Sequence, residues 1–180
     1  MKPLLIVYAT TEGQTRKIAF FAQDAVMSTG RPAEVFDAAH IPPDLDIDDF
    51  AGAILAGSLH QGKHQAALAH FARRNATALN ALPTLFLSVS LSAVVDDESH
   101  RADCQDCIDT FLQETGLRPT ECHAVAGALK YVQYDWVKRM IMRSISQHEN
   151  RETDTSRDYE YTDWVGLKEL VVRFVASIPS

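Results

Sequence analysis

Apolar runs of strand length alternate along this chain with longer stretches whose apolar residues recur at helical spacing. Pro3–Tyr8 (PLLIVY) reads as a buried strand, and Thr15–Thr29 follows with Ile18, Ala22, Ala25 and Val26 on one helical stripe. Gly30 and Pro32 stop that helix, the glycine just past its end and the proline shortly after. Glu34–Ala38 is a second short strand, Ala51–Gly57 a third and Thr84–Val89 a fourth. The polar, proline-containing stretch His40–Asp49 is a connection. Helical patterns fill Gln65–Leu79, Arg101–Thr115 and Asp163–Ile178, and Cys122–Ala128 is the fifth strand. Strands separated by helices of this length predict βαβ crossovers, and so a five-stranded parallel sheet between helical layers.

One stretch breaks the alternation. Lys130–Glu160 is about 31 residues between the fifth strand and the last helix, where such connections usually take about 2–6. From Tyr134 to Gln147 at helical spacing, Tyr134, Val137, Met140, Ile141 and Ile145 share one broad face, while Lys138, Arg139 and Arg143 occupy another. This reads as an ordered, basic amphipathic insertion rather than a flexible linker.

The 180-residue length fits one domain, spanning residues 1–180 with the insertion inside it. A hydrophobic fraction of 46% against 23% charged residues excludes an intrinsically disordered chain. The net charge of −7 excludes a general nucleic-acid binder, whose affinity comes from neutralising phosphates. Within that acidic chain, Lys130–Arg151 carries five Lys/Arg against two Asp/Glu, a local +3. The cysteines Cys104, Cys107 and Cys122 are too few and odd in number for a disulfide framework, which points to a reducing compartment. The apolar run at the N-terminus is too short for a secretory signal, and no window approaches a bilayer span. The expected location is cytoplasmic, with a peripheral position on the cytoplasmic face of the inner membrane left open.

The loop after the first strand carries the clearest chemistry. Thr10, Thr11, Glu12, Gly13, Gln14 and Thr15 lead into the first helix, whose free N–H groups and dipole suit an anion. Three hydroxyls and one glycine fit a single phosphate, although threonines are also ordinary helix caps. A dinucleotide pyrophosphate would ask for G-x-G-x-x-G, which the chain lacks. T-x-x-G-Q-T in this place resembles the phosphate loop of flavodoxins, whose strands run in the order 2-1-3-4-5. Flavodoxins usually have threonine where this chain has Glu12, so Glu12 is expected to point outward.

A second resemblance spans nearly the whole chain. Gly13-Gln14-Thr15-Arg16, Gly127-Ala128-Leu129-Lys130-Tyr131, Glu152-Thr153-Asp154-Thr155 and Tyr161-Thr162-Asp163-Trp164 are similar to the flavodoxin-type, menaquinone-dependent protoporphyrinogen IX dehydrogenases. The late insertion separates that family from simple electron-carrying flavodoxins. The resemblance implies a flavodoxin-like α/β sandwich, FMN as cofactor, removal of six electrons from a porphyrinogen, and a membrane quinone as final acceptor. It also implies that the loop Ser58, Leu59, His60, Gln61 and Gly62 runs along the isoalloxazine ring. Backbone groups of Ser88, Val89, Ser90 and Leu91 would meet its polar edge. His60, Lys63 and His64 would then bring positive charge to the flavin and favour its reduced form.

Other patterns weigh less. Gly57–His64 is G-x-x-x-x-G-K-H, which has histidine where a P-loop needs Ser or Thr for Mg²⁺. Cys104 and Cys107 sit within a helical pattern rather than at a strand-to-helix turn, so they read as structural thiols, and no metal is expected. No catalytic residue stands out. In the insertion, Lys130, Tyr131, Trp136, Lys138, Arg139 and Arg143 are candidates for tetrapyrrole propionates or an anionic membrane surface, or simply for a solvated helix face. The sequence thus points to FMN-dependent oxidation of protoporphyrinogen IX. A flavodoxin-type electron carrier and a flavin-free interaction domain remain as alternatives, and a homo-oligomer is open.

Overall fold

In the computed structural model, residues 1–90, 98–129 and 159–179 are described. Five strands form a parallel sheet: β1 (Leu4–Ala9), β2 (Ala33–Asp37), β3 (Gly52–His60), β5 (Thr84–Ser90) and β6 (Glu121–Ala126). Their order is β2-β1-β3-β5-β6, which counts as 2-1-3-4-5 among the parallel strands. Every residue of β1 and β5 is buried, as expected of strands covered on both faces. That is why they read as predominantly apolar runs rather than alternating ones.

Alternate residues of β1 feed two cores. Leu4, Ile6 and Tyr8 pack against α1 (Gln14–Met27) and the last helix, α5 (Trp164–Ser177). Leu5 and Val7 pack on the opposite face against α2 (Ala66–Arg74), α3 (Ala76–Leu79) and α4 (Glu98–Thr115). At the α5 N-terminus, Asp163 accepts a hydrogen bond from Gly166 N at 3.0 Å, so this helix has a side-chain cap.

Three elements differ from the sequence reading. The helix expected over Gln65–Leu79 is two helices, because Asn75 folds back onto the Phe71 carbonyl with both its side-chain amide (2.9 Å) and its backbone N–H (3.1 Å). The third strand runs on to His60, then turns at Gln61 (φ 51°) and Gly62 (φ 76°) into the short antiparallel β4 (Lys63–His64). Positive φ at both central residues makes a primed hairpin turn, whose twist matches that of the strands it joins. Finally, β7 (Ala128–Leu129) pairs antiparallel with β8 (Tyr159–Glu160), bringing the two ends of the insertion together. The helix expected over Tyr134–Gln147 lies outside the described residues.

The chain leaves β1 for β2 on one side and returns to β3 on the other. In open α/β sheets the crevice beyond the strand ends at such a reversal is where ligands bind, a rule for which flavodoxin itself is a standard illustration.

Candidate functional site

The loop after β1 is held in place from three directions. Gly13 N donates to Thr10 Oγ1 at 2.9 Å, which closes the loop on itself. Gly13 adopts φ 93° as the N-cap of α1, a left-handed conformation that a side chain would strain. On one flank, the Gln65 side-chain amide donates to Thr11 Oγ1, and also to Ser58 Oγ at 2.8 Å, so the first loop and the end of β3 share one brace. On the other flank, the Gln14 amide donates to Glu160 Oε1 at 2.7 Å and to Thr162 Oγ1 at 3.0 Å. Lys17 Nζ joins the same carboxylate at 2.7 and 2.8 Å. The Lys17 ammonium and then the Gln14 amide hold the Glu160 carboxyl below its ordinary range.

Inside this brace lies an unsatisfied group. Thr15 is fully buried, and among the described residues its Oγ1 is a buried side-chain atom with no hydrogen-bond partner. An orphaned buried hydroxyl costs about 1–3 kcal/mol. It sits in the first helical turn, where backbone N–H groups also lack intrahelical partners. An anion seated there would satisfy both, so the residues present fit the phosphate of FMN. Glu12 is exposed.

The loop after β3 is built differently. Ser58, Leu59 and His60 are strand rather than loop, paired in part with β4, and His60, Gln61, Gly62 and Lys63 are exposed. His64 turns inward and corrects the expectation of a cation at this position. Its ring stands edge-on to Phe86 (centroids 5.2 Å apart) and Phe111 (4.9 Å), and its Nε2 pairs with Ser88 Oγ at 2.9 Å. Burial pushes the imidazole pKa from 6.5 down to about 4, so the ring is neutral at pH 7. The physical reason is the hairpin, which sends Lys63 and His64 back on alternate sides of β4. Gly57 permits this packing: a Cβ there would meet Leu68 Cδ2 at 2.7 Å and His64 Cδ2 at 3.1 Å.

Ser88, Val89 and Ser90 also lie within a strand. Their backbones pair in register with β3 or β6. The Val89 side chain is core, Ser88 Oγ serves His64, and Ser90 Oγ lies 3.7 Å from the buried Cys104 thiol. Leu91, and Lys130, Tyr131, Trp136, Lys138, Arg139 and Arg143 of the insertion, lie outside the described residues.

Sequence reasoning missed Gln65, Glu160 and Lys17 as neighbours of the first loop. Thr162 was within a quoted motif, and the structure shows what that motif does. Thr162 Oγ1 donates to the Ala126 carbonyl at 2.7 Å, Asp163 caps α5, and Trp164 packs on Phe21 (4.7 Å) with Lys17 over its ring at 5.1 Å.

Comparison with known proteins agrees with this layout. The flavodoxin domain model matches residues 5–156. The chain belongs to the flavodoxin domain family. It is 31% identical over 174 residues to protoporphyrinogen IX dehydrogenase (quinone) of Escherichia coli K12, covering 97% of this chain and 93% of that protein. That likeness places it in the dehydrogenase's family too. The Leishmania major protein of the same name is 27% identical over 173 residues, 96% of this chain and 74% of its own length. Among solved structures, a Fusobacterium nucleatum flavodoxin bound to flavin mononucleotide superposes with a TM-score of 0.51 at 10% identity. That match covers 98% of this chain and 96% of the other, and it shows the fold. No helix among the described residues is long and apolar enough to cross a membrane.

Proposed function

We propose that this protein is an FMN-dependent dehydrogenase that oxidises protoporphyrinogen IX to protoporphyrin IX, with a quinone as electron acceptor. The observation that carries this reading is the extent of the likeness to the Escherichia coli enzyme, which runs almost end to end in both chains rather than over the phosphate loop alone. The orphaned Thr15 hydroxyl supports the cofactor assignment. Residues 1–180 form one flavodoxin-like domain in this reading.

Thr10, Thr11, Glu12, Gly13, Gln14 and Thr15 make the phosphate loop, with Thr15 Oγ1 and the first N–H groups of α1 as donors. The tip of the β3–β4 hairpin and the end of β5 border the ring. When bound, FMN supplies the redox chemistry that side chains do not. The protein positions the cofactor and keeps its underside dry: His64 stays neutral beneath the site, held between Phe86, Phe111 and Ser88. A quinone dissolved in a bilayer is reached from the membrane surface. Lys130, Tyr131, Trp136, Lys138, Arg139 and Arg143 give the insertion the basic and aromatic character that suits an anionic one.

The test is anaerobic reconstitution with FMN, followed by protoporphyrinogen IX and a soluble quinone. Porphyrin fluorescence should rise only when protein, FMN and quinone are all present. Protein that stays colourless after excess FMN rejects the flavoprotein reading. Protein that binds FMN but leaves the porphyrinogen unchanged rejects the substrate.

A further inference from the structure

The phosphate loop and the ribbon at the root of the insertion meet through a small group of side chains far apart in sequence. Both N–H groups of the Gln14 amide are taken, one by Glu160 Oε1 and one by Thr162 Oγ1. Thr162 in turn donates to the Ala126 carbonyl at the end of β6. Backbone bonds continue the connection: Tyr161 N donates to Gly127 O at 3.1 Å, and Gly127 N donates to Ser90 O at 3.0 Å. The ribbon root is thus bonded to the first residue of α1 on one side and to the end of β5 on the other. These are the two places where the phosphate and the flavin edge are read in the site described above.

Gln14 is the first residue of α1, directly between the left-handed Gly13 and the orphaned Thr15. Fixing its side chain fixes the first helical turn, and with it the direction of the N–H groups and the Thr15 hydroxyl. We propose that Glu160, acting through Gln14, is a positioning residue for the phosphate loop and sets the site's preference for FMN over riboflavin, which lacks the phosphate. This inference rests on the FMN reading. Glu160 does not donate to an anion and carries a negative charge itself. If it acted on the phosphate directly, it would repel it, and removing it would tighten binding.

The two possibilities therefore differ in sign, and two substitutions separate the hydrogen bond from the charge. Glu160→Ala removes the acceptor for the Gln14 amide and the partner of Lys17 together. Glu160→Gln keeps an oxygen able to accept from Gln14 while discarding the charge. Glu160 is a surface residue, so both variants should fold, which thermal unfolding of each flavin-free protein checks.

The experiment is a pair of titrations, with FMN and with riboflavin, on wild-type protein and both variants, followed by quenching of flavin fluorescence. Glu160→Ala should weaken FMN binding about tenfold, the size expected for one hydrogen bond to a charged group. Riboflavin binding should change less than about twofold, and Glu160→Gln should restore FMN affinity to near the wild-type value. Equal losses for the two flavins, no loss for FMN, or tighter FMN binding in either variant overturns the proposal. Wild-type protein that binds neither flavin overturns the FMN reading and the proposal with it. Wild-type binding of FMN with an unaltered preference in Glu160→Ala overturns the proposal alone.

Discussion

The phosphate loop and the tip of the β3–β4 hairpin sit at the ends of neighbouring strands, yet they are built in opposite ways. Three side chains from two other segments grip the first: Gln65, Glu160 and Thr162 all reach it or its first helical residue. The second is a two-residue turn whose residues His60, Gln61, Gly62 and Lys63 face solvent. The tip carries no Phe, Tyr or Trp. In the proposed reading, the difference suits a protein that holds its cofactor by the phosphate and leaves the ring open to a bulky reactant. Affinity should therefore be concentrated at one end of the site.

The phosphate end should show the largest effects. Gly13→Val places a β-branched residue at φ 93° in the N-cap of α1, and FMN binding should fall below detection in a fluorescence titration. Thr15→Val separates two effects of opposite sign. In flavin-free protein it removes a buried hydroxyl without a partner, so thermal stability should rise by roughly 1 kcal/mol. FMN affinity should fall by about 1–3 kcal/mol, because the phosphate then loses the hydroxyl that donates to it. A variant that loses on both counts, or on neither, contradicts the placement of the phosphate.

The base of the ring end should respond to pH rather than to flavin. Between pH 6.5 and about 4, the unfolded chain takes up a proton at His64 that the folded protein refuses. Stability should fall as pH drops across that window, by up to on the order of 3 kcal/mol, and level out below it. In His64→Leu that part of the pH dependence should vanish, as read by urea unfolding at a series of pH values. The smallest effect belongs to the exposed tip, where His60→Ala with Lys63→Ala should change FMN affinity less than about twofold. A larger change would mean that the tip carries charge onto the flavin after all.

These contrasts also explain what could be read from the sequence. The central parallel strands were legible because burial on both faces leaves predominantly apolar runs such as Leu4–Ala9 and Thr84–Ser90. The phosphate loop was legible because its hydroxyls and glycine are contiguous. The hairpin was not, since positive φ at Gln61 leaves no mark in a pattern of apolar and polar residues. His64 looked like a loop cation because its neighbours Lys63 and Gln65 are polar, and only the fold reveals that it lies between two phenylalanine rings. The contact between Gln14 and Glu160 joins positions 146 residues apart, with no periodicity to announce it.

The central claim is multi-electron porphyrinogen oxidation linked to a quinone, and its stoichiometry tests it most directly. Under anaerobic conditions, FMN-loaded protein is mixed with limiting protoporphyrinogen IX and excess soluble quinone, and porphyrin formed and quinone reduced are measured together. Six electrons leave each porphyrinogen and two enter each quinone, so the account predicts three quinones reduced for every porphyrin formed. Porphyrin formation without matching quinone reduction, or no porphyrin from a protein that has bound FMN, contradicts it.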